Sequence, residues 1–414
     1  MAVEAARDCL ADNLKDEISA VYLASTTLPY SDRQNATITG AALNLSEEIS
    51  TLDITSSQRA GTSGLITVLR AADRQFSKAA LFIASEKRAA KAASLQELRY
   101  GDAAAAVTVG NADVIAEFLT AEQKSIDFVD HFRGQHERFD YNWEDRWVRD
   151  EGYNKIIPGV IIAALEKANL KPGDIDHFII PALSTSILLR LAKSLGLPDS
   201  SVRDGLQDVM GDSGAAHALV LLCHTLEKAG SGEIILMVGW GQGCDVLLFR
   251  TTENITQSRP PMGITGFLAR RQEETNYQRY LAFNDLVELD KGIRAENDTP
   301  TPMTALYRER ETVLGFMGGE CGQCGTVQFP KSNICVNPNC GATHSQVPKP
   351  FADIPAKVHS WTADRLSYSP DPPAHYGMIA VEGVGRCMLD LTAVETEEVD
   401  VGAAMRSAFR TKQH

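Results

Sequence analysis

The sequence has no apolar run long enough to cross a membrane and no excess of basic residues. Its apolar stretches all fall short of the roughly 18 residues that a membrane-spanning helix requires. Lysine and arginine together number 40, against 54 aspartates and glutamates, which gives a formal net charge of −14. A protein that binds a phosphate backbone needs a basic face. The composition therefore argues against both a membrane protein and a nucleic-acid-binding protein.

The first residues also lack the pattern of a secretory signal peptide. The segment MAVEAARDCLADNL is typical of an amphipathic helix with acidic residues, without a basic n-region or an apolar h-region. Cys9, Cys223, Cys244 and Cys387 are scattered singly, as reduced core cysteines of intracellular proteins usually are. These features predict a cytoplasmic protein.

At 414 residues the chain can bury a large core and fill more than one domain. Residues 1–250 alternate between strand-like and helix-like apolar blocks, and the order of these blocks occurs twice. In each half a turn rich in Gly and Ser leads into a long helix, and two strands follow; the helices are SGLITVLRAADRQ (63–75) and GDSGAAHALVLLCHTLEKAG (211–230). Such alternation builds a mostly parallel sheet covered by helices. We therefore predict two α/β units related by a pseudo-twofold axis.

The two halves differ at their beginnings. The second half has a strand-like segment, SIDFVDHFR (125–133), before its first helix, whereas the first half begins with the helix at residue 2. We therefore expect the chain to start inside the first unit, without the first strand of that unit.

The regular alternation of strand-like and helix-like apolar blocks ends after residue 250. We interpret residues 251–310 as a linker with a helix at 276–296. The tail, residues 347–414, has short alternating strands separated by Gly and Pro turns. This pattern predicts a small β-barrel.

Four cysteines cluster within residues 311–346: Cys321, Cys324, Cys335 and Cys340. Their spacing is C-x2-C, ten residues, then C-x4-C, with a glycine beside each pair. Four thiolates at this spacing indicate a closed tetrahedral zinc site with a structural role; an iron centre or a chance cluster are the alternatives. Because a knuckle this short is expected to lack an apolar core, the metal should supply its folding energy. His344 is a weaker candidate ligand.

The segment LDITSSQRAGTSG (52–64) has the form in which several enzymes present a nucleophile at a helix N-terminus. An acidic residue and a short strand lead into small residues that open a helix. The nucleophile position holds Gln58, whose amide cannot attack a substrate. Ser57 lies one residue too early and is expected to point elsewhere.

Residues 1–250 resemble the thiolase superfamily, in particular HMG-CoA synthases and ketoacyl-ACP synthase III enzymes. The resemblance rests on segments that occur in family-like order and spacing: LDITSSQRAGTSG, RYGDAAAAVTVG, DHFIIPALSTSILLRLAKSLGLP, GDSGAAHAL and GWGQGCDVLLF. Residues 276–410 resemble the zinc-ribbon plus OB-fold domain of the DUF35 family. The resemblance implies a duplicated αβαβα sandwich over residues 1–250, a zinc ribbon over 311–346 and an OB-fold barrel over 347–414.

In that superfamily a cysteine at a helix N-terminus is acylated by a CoA or carrier-protein thioester. The helix dipole and end amides lower the thiol pKa and bind the oxyanion. By resemblance, the cysteine position falls on Gln58, the histidine position on Ile179 and the asparagine position on Asp212. His177 lies two residues upstream of Ile179. The glutamate base of HMG-CoA synthases is expected upstream of this chain's first residue.

The resemblance therefore implies a protein of acyl-CoA metabolism that binds CoA thioesters and has lost the acylation chemistry. The favoured interpretation is a partner or scaffold subunit, as a homodimer or in a heteromer with a thiolase-like or aldolase-type subunit. An active acyltransferase or a thioester decarboxylase with a different residue set stays open, since glutamine also replaces the nucleophile in condensing-enzyme-like decarboxylases. Whether the protein is an enzyme is left open by the sequence.

Two further segments have a composition that suggests a role near a ligand or a partner. GWGQGCD (239–245) lies between two strands, so we interpret its glycines as a tight turn at a pocket floor and not as a dinucleotide-binding loop. YNWEDRWVRDEGY (141–153) is dense in Trp, Arg and acidic residues. It either gates an acyl-CoA pocket, contacts a partner, or begins an ion-paired surface helix.

Overall fold

A computed structural model of the chain describes residues 1–11, 14–75, 78–182, 184–256, 260–290, 301–367, 369 and 371–411. The chain divides into two units. The first comprises Met1–Thr39 with Ser46–Glu273, and the second comprises Gly40–Leu45 with Glu274–His414. Of the helices that the model describes, none is both long enough and apolar enough to cross a membrane.

The regular elements are short and evenly spread along the chain. The α-helices are α1 (Ala2–Leu10), α2 (Asn35–Ala42), α3 (Ala60–Gln75), α4 (Asp145–Trp147), α5 (Ile157–Ala168), α6 (Thr185–Leu195), α7 (Gln207–Met210), α8 (Gly214–Leu226), α9 (Gly263–Ala269), α10 (Tyr277–Phe283), α11 (Met303–Arg308) and α12 (Arg310–Gly315). The strands are β1 (Ile18–Ala24), β2 (Ser50–Ile54), β3 (Ala79–Glu86), β4 (Ala103–Val109), β5 (Ala116–Ser125), β6 (His131–Phe132), β7 (Tyr141–Asn142), β8 (His177–Ile179), β9 (Ile234–Trp240), β10 (Gly243–Thr251), β11 (Met317–Cys321), β12 (Val327–Gln328), β13 (Gln346–Pro350), β14 (Ala356–Asp364), β15 (Ala374–Val381), β16 (Gly385–Asp390) and β17 (Ala404–Met405). A π-helical segment, Val148–Ile156, joins α4 to α5.

The first unit contains two four-stranded sheets, in each of which a parallel pair is followed by an antiparallel strand, and the two-stranded sheet β6–β7. In the first sheet, β2-β1-β3-β4, the strand β1 pairs in parallel with β2 and β3, and β3 pairs antiparallel with β4. In the second sheet, β5-β10-β9-β8, the strand β8 pairs in parallel with β9, and β9 pairs antiparallel with β10. Each half of the chain thus builds one mixed sheet, as the repeated order of apolar blocks predicts.

The outer edges of the two sheets differ. The strand β5 pairs antiparallel with β10 and forms one edge of the second sheet. Among the described residues, the corresponding edge of β4 in the first sheet carries no further strand.

Five layers result from the way the helices cover the sheets. The helices α3 and α8 pack between the two sheets, α1 packs on β3 and β4, and α5 packs on β5 and β10. In β9, Ile235 and Met237 join the central apolar cluster, whereas Leu236 and Val238 join the cluster that contains α5. Because both of its faces are covered, β9 is apolar along its whole length. The predicted αβαβα sandwich is confirmed.

The second unit contains two small antiparallel sheets. A three-stranded sheet, β12-β11-β13, carries the cysteine cluster, and a four-stranded sheet, β16-β15-β14-β17, forms the tail. The tail sheet covers an apolar cluster around Val358, Ile379 and Val399. Its strands are compatible with the predicted OB-fold, although the described residues do not close into a barrel.

Two predicted elements need correction. The strand expected at 125–133 lies earlier, as β5, which ends at Ser125. After Ser125, only His131–Phe132 of the expected range form a strand, paired with β7 in a hairpin. The strand β5 was missed because it lies at a sheet edge, where its last residues are solvated and polar. The helix expected at 276–296 ends at Phe283, and Asp285 follows in a left-handed conformation. Residues 291–296 of that prediction lie outside the described residues.

The close approach of α3 and α8 yields the first prediction. A Cβ on Gly61 would lie 2.1 Å from the carbonyl oxygen of Ala215, and backbone cannot give way easily. We expect Gly61→Ala to lower the free energy of unfolding by about 1–3 kcal/mol through overpacking, although alanine usually stabilises a helix interior by about 0.5–1 kcal/mol relative to glycine.

Gly159→Ala in α5 is the matched control, because nothing lies within 4 Å of the Cβ that it would add. Thermal unfolding of both variants measures the difference. Equal melting temperatures for the two would contradict the helix contact.

Candidate active site

The start of α3 is held by Ser57, which acts as a cap. Its hydroxyl oxygen accepts a hydrogen bond from the backbone N–H of Arg59 at 3.1 Å and donates to the carbonyl oxygen of Gly241 at 3.2 Å. Its own carbonyl oxygen accepts from the N–H of Ala60 at 2.8 Å. Both roles of the Ser57 hydroxyl are therefore structural, and the residue is not poised as a nucleophile.

Gln58 lies between this cap and the loop that joins β9 to β10. A Cβ on Gly241 would lie 3.1 Å from the Cβ of Gln58, and the φ of Gly241 is +147°. Only glycine therefore fits at the closest approach of the loop. Gln58 is half-buried, and the described residues provide its side-chain amide with no hydrogen-bond partner. The segment GWGQGCD thus forms a tight turn beside the nucleophile position.

A buried ion pair fixes this arrangement. The carboxylate of Asp245 in β10 is fully buried and accepts from Arg59 Nη1 at 2.8 Å and from Gln123 Nε2 at 3.1 Å. Its second oxygen accepts from Thr62 Oγ1 at 2.8 Å and from Ser63 Oγ at 2.6 Å. A carboxylate buried in this way is tolerated only because every lone-pair direction has a donor.

Arg59 connects that carboxylate to the loop. Its Nε donates to the carbonyl oxygen of Gly241 at 2.7 Å, and its Nη2 donates to the carbonyl oxygen of Gln242 at 3.2 Å. Since Arg59 directly follows Gln58, the Arg59–Asp245 pair sets where the Gln58 backbone lies.

Asp212 lies at the start of α8 and is paired with Arg88. Arg88 Nη1 donates to Asp212 Oδ2 at 2.7 Å, and the backbone N–H of Gly214 donates to Oδ1 at 2.9 Å. Burial opposes ionisation of Asp212, but the Arg88 guanidinium outweighs it and holds the pKa of that carboxyl far below its usual range. Where the resemblance places an amide, this chain therefore has a permanent carboxylate.

Arg88 is the centre of a wider network. Its Nη2 donates to Asp140 Oδ2 at 2.8 Å, and its guanidinium carbon lies 3.3 Å from the centroid of the Tyr100 ring. Asp140 also accepts from Arg133 Nη1 at 3.0 Å. The network joins the end of β3 to the β6–β7 hairpin and to the start of α8.

Ile179 and His177 take no part in this site. Ile179 is 1% exposed and belongs to the central apolar cluster, so its side chain presents no surface to a ligand. His177 Nδ1 accepts from Arg203 Nε at 2.7 Å, and Nε2 lies 2.6 Å from Glu233 Oε2. This histidine stands at the beginning of β8, whereas Gly241 follows the end of the parallel strand β9. His177 is therefore a hydrogen-bonded structural residue at the opposite end of the sheet.

The starts of α3 and α8 meet where Gly61 faces Ala215. Gln58 precedes Gly61 by three residues, and Asp212 precedes Ala215 by three residues. The structure therefore brings these two positions to the same end of the paired central helices. The sequence analysis missed Arg59, Arg88 and Asp245; an aspartate inside the apolar strand CDVLLFR was the available signal for the last of these.

An aromatic series borders the same loop. Trp240, which precedes Gly241, lies 5.7 Å from Phe128 and 6.1 Å from Tyr153 between ring centroids. Phe128 stacks in turn on Trp147, which is half-exposed like Trp143. The segment YNWEDRWVRDEGY therefore covers the β9–β10 loop with aromatic rings and continues into the π-helix.

The four clustered cysteines of the second unit converge on one point. Their Sγ atoms all lie within 4.8 Å of one another. The distances Cys321–Cys340 and Cys324–Cys335 are 3.9 and 3.6 Å between sulfurs. A tetrahedral zinc with Zn–S bonds of about 2.3 Å requires sulfurs roughly 3.8 Å apart. The cysteines fit a closed structural zinc site.

Neighbouring groups orient the sulfurs. Ser345 Oγ lies 3.1 Å from Cys321 Sγ, and this hydrogen bond lowers the pKa of the Cys321 thiol to about 6. Gly325 and Gly341 follow Cys324 and Cys340 with φ of +71° and +53°, which turns the backbone around each knuckle. His344 is exposed and is not part of the cluster.

The expectation that the ribbon lacks an apolar core is wrong. Phe316, Phe329 and Phe351 form a three-ring cluster, with centroids 4.9, 6.0 and 5.9 Å apart. Phe351 is fully buried and lies against Gly318, where a Cβ would be 2.1 Å from the ring. The sequence hid this core because its members come from three separate segments. Metal and aromatic packing together stabilise the ribbon.

Family models match two parts of the chain. Residues 165–247 match the model of the 3-oxoacyl-[acyl-carrier-protein (ACP)] synthase III C-terminal region, and residues 313–344 match that of the ChsH2 rubredoxin-like zinc ribbon domain. The hydroxymethylglutaryl-CoA synthase of Methanocaldococcus jannaschii is 26% identical over 296 residues, which cover 70% of this chain and 85% of that protein. The enzyme of the same name from Caldivirga maquilingensis is 24% identical over 297 residues, with the same coverage.

Solved structures agree on the fold. The 3-oxoacyl-[acyl-carrier-protein] synthase III of Aquifex aeolicus has a TM-score of 0.54 and 21% identity, and covers 60% of this chain and 83% of that one. MvaS in complex with 3-hydroxy-3-methylglutaryl coenzyme A has a TM-score of 0.54 and 17% identity, and covers 62% and 72%. The predicted resemblance is confirmed: a thiolase-like domain, similar to HMG-CoA synthases, is followed by a zinc ribbon.

The Arg59–Asp245 pair yields the second prediction. We expect Asp245→Ala to lower the free energy of unfolding by about 3–5 kcal/mol, because it leaves a buried guanidinium and several donors unpaired. The exposed Asp150, paired with Arg149 at 2.8 Å, is the matched control, and Asp150→Ala should have a much smaller effect because water screens an exposed ion pair. Chemical denaturation followed by tryptophan fluorescence measures both. Similar costs for the two would contradict the central role of Asp245.

The cysteine cluster yields the third prediction. Elemental analysis should find about one zinc per chain, and Cys335→Ser should lose it because the tetrahedral set is incomplete. Cys387→Ser is the matched control: Cys387 is also buried but lies outside the cluster, and its replacement should leave the zinc content unchanged. Full zinc occupancy in Cys335→Ser would refute the assignment.

Proposed function

We propose that the protein is a CoA-thioester-binding, non-acylating member of acyl-CoA metabolism, which works as a partner subunit in a thiolase- or aldolase-type assembly. The observation that carries this proposal is Gln58 at the start of α3, held against Gly241 in the position of a nucleophile. A glutamine amide donates and accepts hydrogen bonds but forms no thioester.

No other residue of the site replaces the missing nucleophile. The Ser57 hydroxyl is engaged in the helix cap, and Ile179 leaves the second catalytic position apolar. Asp212 carries no hydrogen that could stabilise a developing negative charge on a thioester oxygen, because its carboxylate only accepts. The geometry of a condensing site is therefore kept without its acid, base or nucleophile.

The scattered cysteines are also poor candidates. Burial raises the pKa of the Cys9 thiol to about 12 and raises the pKa of Cys223 and Cys244 further still. A buried thiol with a raised pKa is a weak nucleophile. The remaining cysteines are the four of the ribbon and Cys387 in the tail sheet, whose pKa burial also raises.

Binding of a CoA thioester is supported by the similar proteins. One solved structure of this fold, MvaS, is in complex with 3-hydroxy-3-methylglutaryl coenzyme A, and another, OleA of Xanthomonas campestris, has bound lauroyl-CoA. In the present chain Trp240, Phe128 and Trp147 form a series of ring contacts beside the loop at Gly241. We assign the thioester to this end of the central helices.

Assembly with a second thiolase-like chain, identical or not, is supported by the edge of the first sheet. The strand β2 lies at that edge, directly before the Gln58 segment, and its Leu52 is half-exposed. A strand edge with unpaired backbone groups can pair with a strand of another chain. A homodimer or heteromer through β2 would place two Gln58 segments near the same interface.

A thioester decarboxylase is the second candidate. It is favoured by the side-chain amide of Gln58, which has no hydrogen-bond partner among the described residues. An amide held at a helix start beside a glycine turn can hydrogen-bond a thioester carbonyl without becoming acylated. Turnover without covalent labelling, abolished by Gln58→Ala, would identify this activity.

The fourth prediction tests acylation directly. Incubation of the unmodified protein with radiolabelled acetyl-CoA should leave no covalent label after denaturation. Gln58→Cys is the matched variant: the new thiol at the helix start should acquire label, because the helix dipole and end amides lower its pKa. Condensation should stay undetectable in this variant, since Ile179 and Asp212 remain. Stoichiometric label on the unmodified chain would overturn the proposed function.

A further inference from the structure

We propose that the Arg88–Asp212 pair makes the site discriminate between acyl groups by charge, so that it accepts neutral acyl thioesters and rejects those whose acyl group carries a carboxylate. This inference rests on the proposed function, because it assumes that a CoA thioester binds at the start of the central helices. It adds a class of ligand to that site.

The first step is the position of the charge. Gln58 and Asp212 precede the residues at which α3 and α8 touch, Gly61 and Ala215, by the same three residues. An acyl group that reaches Gln58 at the end of the helix pair therefore also approaches Asp212. The neutral amide that the resemblance implies at this position is replaced by a carboxylate.

The second step is which member of the ion pair faces the ligand. The side chain of Asp212 is 36% exposed, whereas that of Arg88 is 5% exposed. The guanidinium of Arg88 is covered by the carboxylates of Asp212 and Asp140, with which it pairs, and by the stacked ring of Tyr100. An incoming group therefore meets the oxygens of Asp212 and not the positive charge behind them.

The third step is the balance of charge around the pair. Arg88 shares its guanidinium between Asp212 and Asp140, and Arg133 pairs with Asp140 as well. Glu86 is buried beside them and accepts from the backbone N–H and the hydroxyl of Thr26 at 2.8 and 2.9 Å. Three carboxylates thus face two guanidinium groups. Asp102, which accepts from the backbone N–H of Arg88 at 3.0 Å, adds a further acidic group.

The consequence follows from Coulomb's law. A second carboxylate brought within several ångströms of Asp212 meets a like charge, and both guanidinium groups that the described residues place in this network already pair with carboxylates. The Nδ1 of His217 lies 3.5 Å from Asp212 Oδ1 but is engaged as the acceptor of the backbone N–H of Ser213. Hydrogen bonds to Asp212 cannot offset this repulsion of the incoming carboxylate. The oxygens of Asp212 already accept from Arg88 and Gly214, and they have no hydrogen to donate. A neutral acyl group encounters no such penalty.

Isothermal titration calorimetry of the full-length protein with acetyl-CoA and malonyl-CoA tests the inference. These two thioesters share the CoA moiety and differ by one carboxylate. We expect malonyl-CoA to bind at least about tenfold more weakly, which is the order of effect for two like charges in a partly solvated site. In Asp212→Asn the ratio should fall to about threefold or less, mainly because malonyl-CoA binds more tightly.

Two variants separate charge from structural damage. Asp212→Glu keeps the negative charge and should keep the discrimination, whereas Asp150→Asn removes an exposed carboxylate outside the network and should leave the ratio unchanged. Equal or tighter binding of malonyl-CoA by the unmodified protein would overturn the charge inference while leaving thioester binding intact. Failure of both thioesters to bind would overturn the proposed function and the inference with it.

Discussion

The functional end of the first unit depends on one buried carboxylate. Asp245 is the third residue of β10, beside the buried Cys244 and Val246, and its side chain has no exposed surface. A charge in that position is stable only if donors surround it, and the chain provides them from the start of α3 and from β5. The pairing thereby ties together a helix, a central strand and an edge strand. The position of Gln58 beside Gly241 is a consequence of this pairing.

The same end of the molecule also depends on how closely the two central helices approach. Gly61 and Ala215 bring their backbones together, and Gly64 lies against Phe82 and Ile54 of the first sheet. Small residues in these positions let two sheets and two helices share one apolar cluster. Packing alone therefore accounts for the glycines and alanines at the start of α3.

Much of this architecture could be predicted from the sequence because apolar blocks report local periodicity. The helices at 63–75 and 211–230 and the cysteine spacing needed no knowledge of the fold. Only part of the candidate site could be predicted from the sequence. Arg59 and Asp245 are separated by 186 residues, and Arg88 and Asp212 by 124 residues, so neither pair has a local signature. The edge strand β5 was not predicted for a related reason: it is a strand because it pairs with β10, and its own composition does not indicate this.

The two ion pairs together suggest how this site differs in kind from a condensing enzyme. A thiol at a helix start needs neighbouring donors that stabilise negative charge as it develops. In this chain the donors around the site are already committed to fixed carboxylates: Arg59 to Asp245, and Arg88 to Asp212 and Asp140. The hydrogen bonds that Arg59 and Arg88 could otherwise donate to a transition state are made to carboxylates of the folded protein. A site built in this way is suited to holding a ligand in one orientation, and under the proposed function a thiol introduced at position 58 would be acylated without going on to condensation.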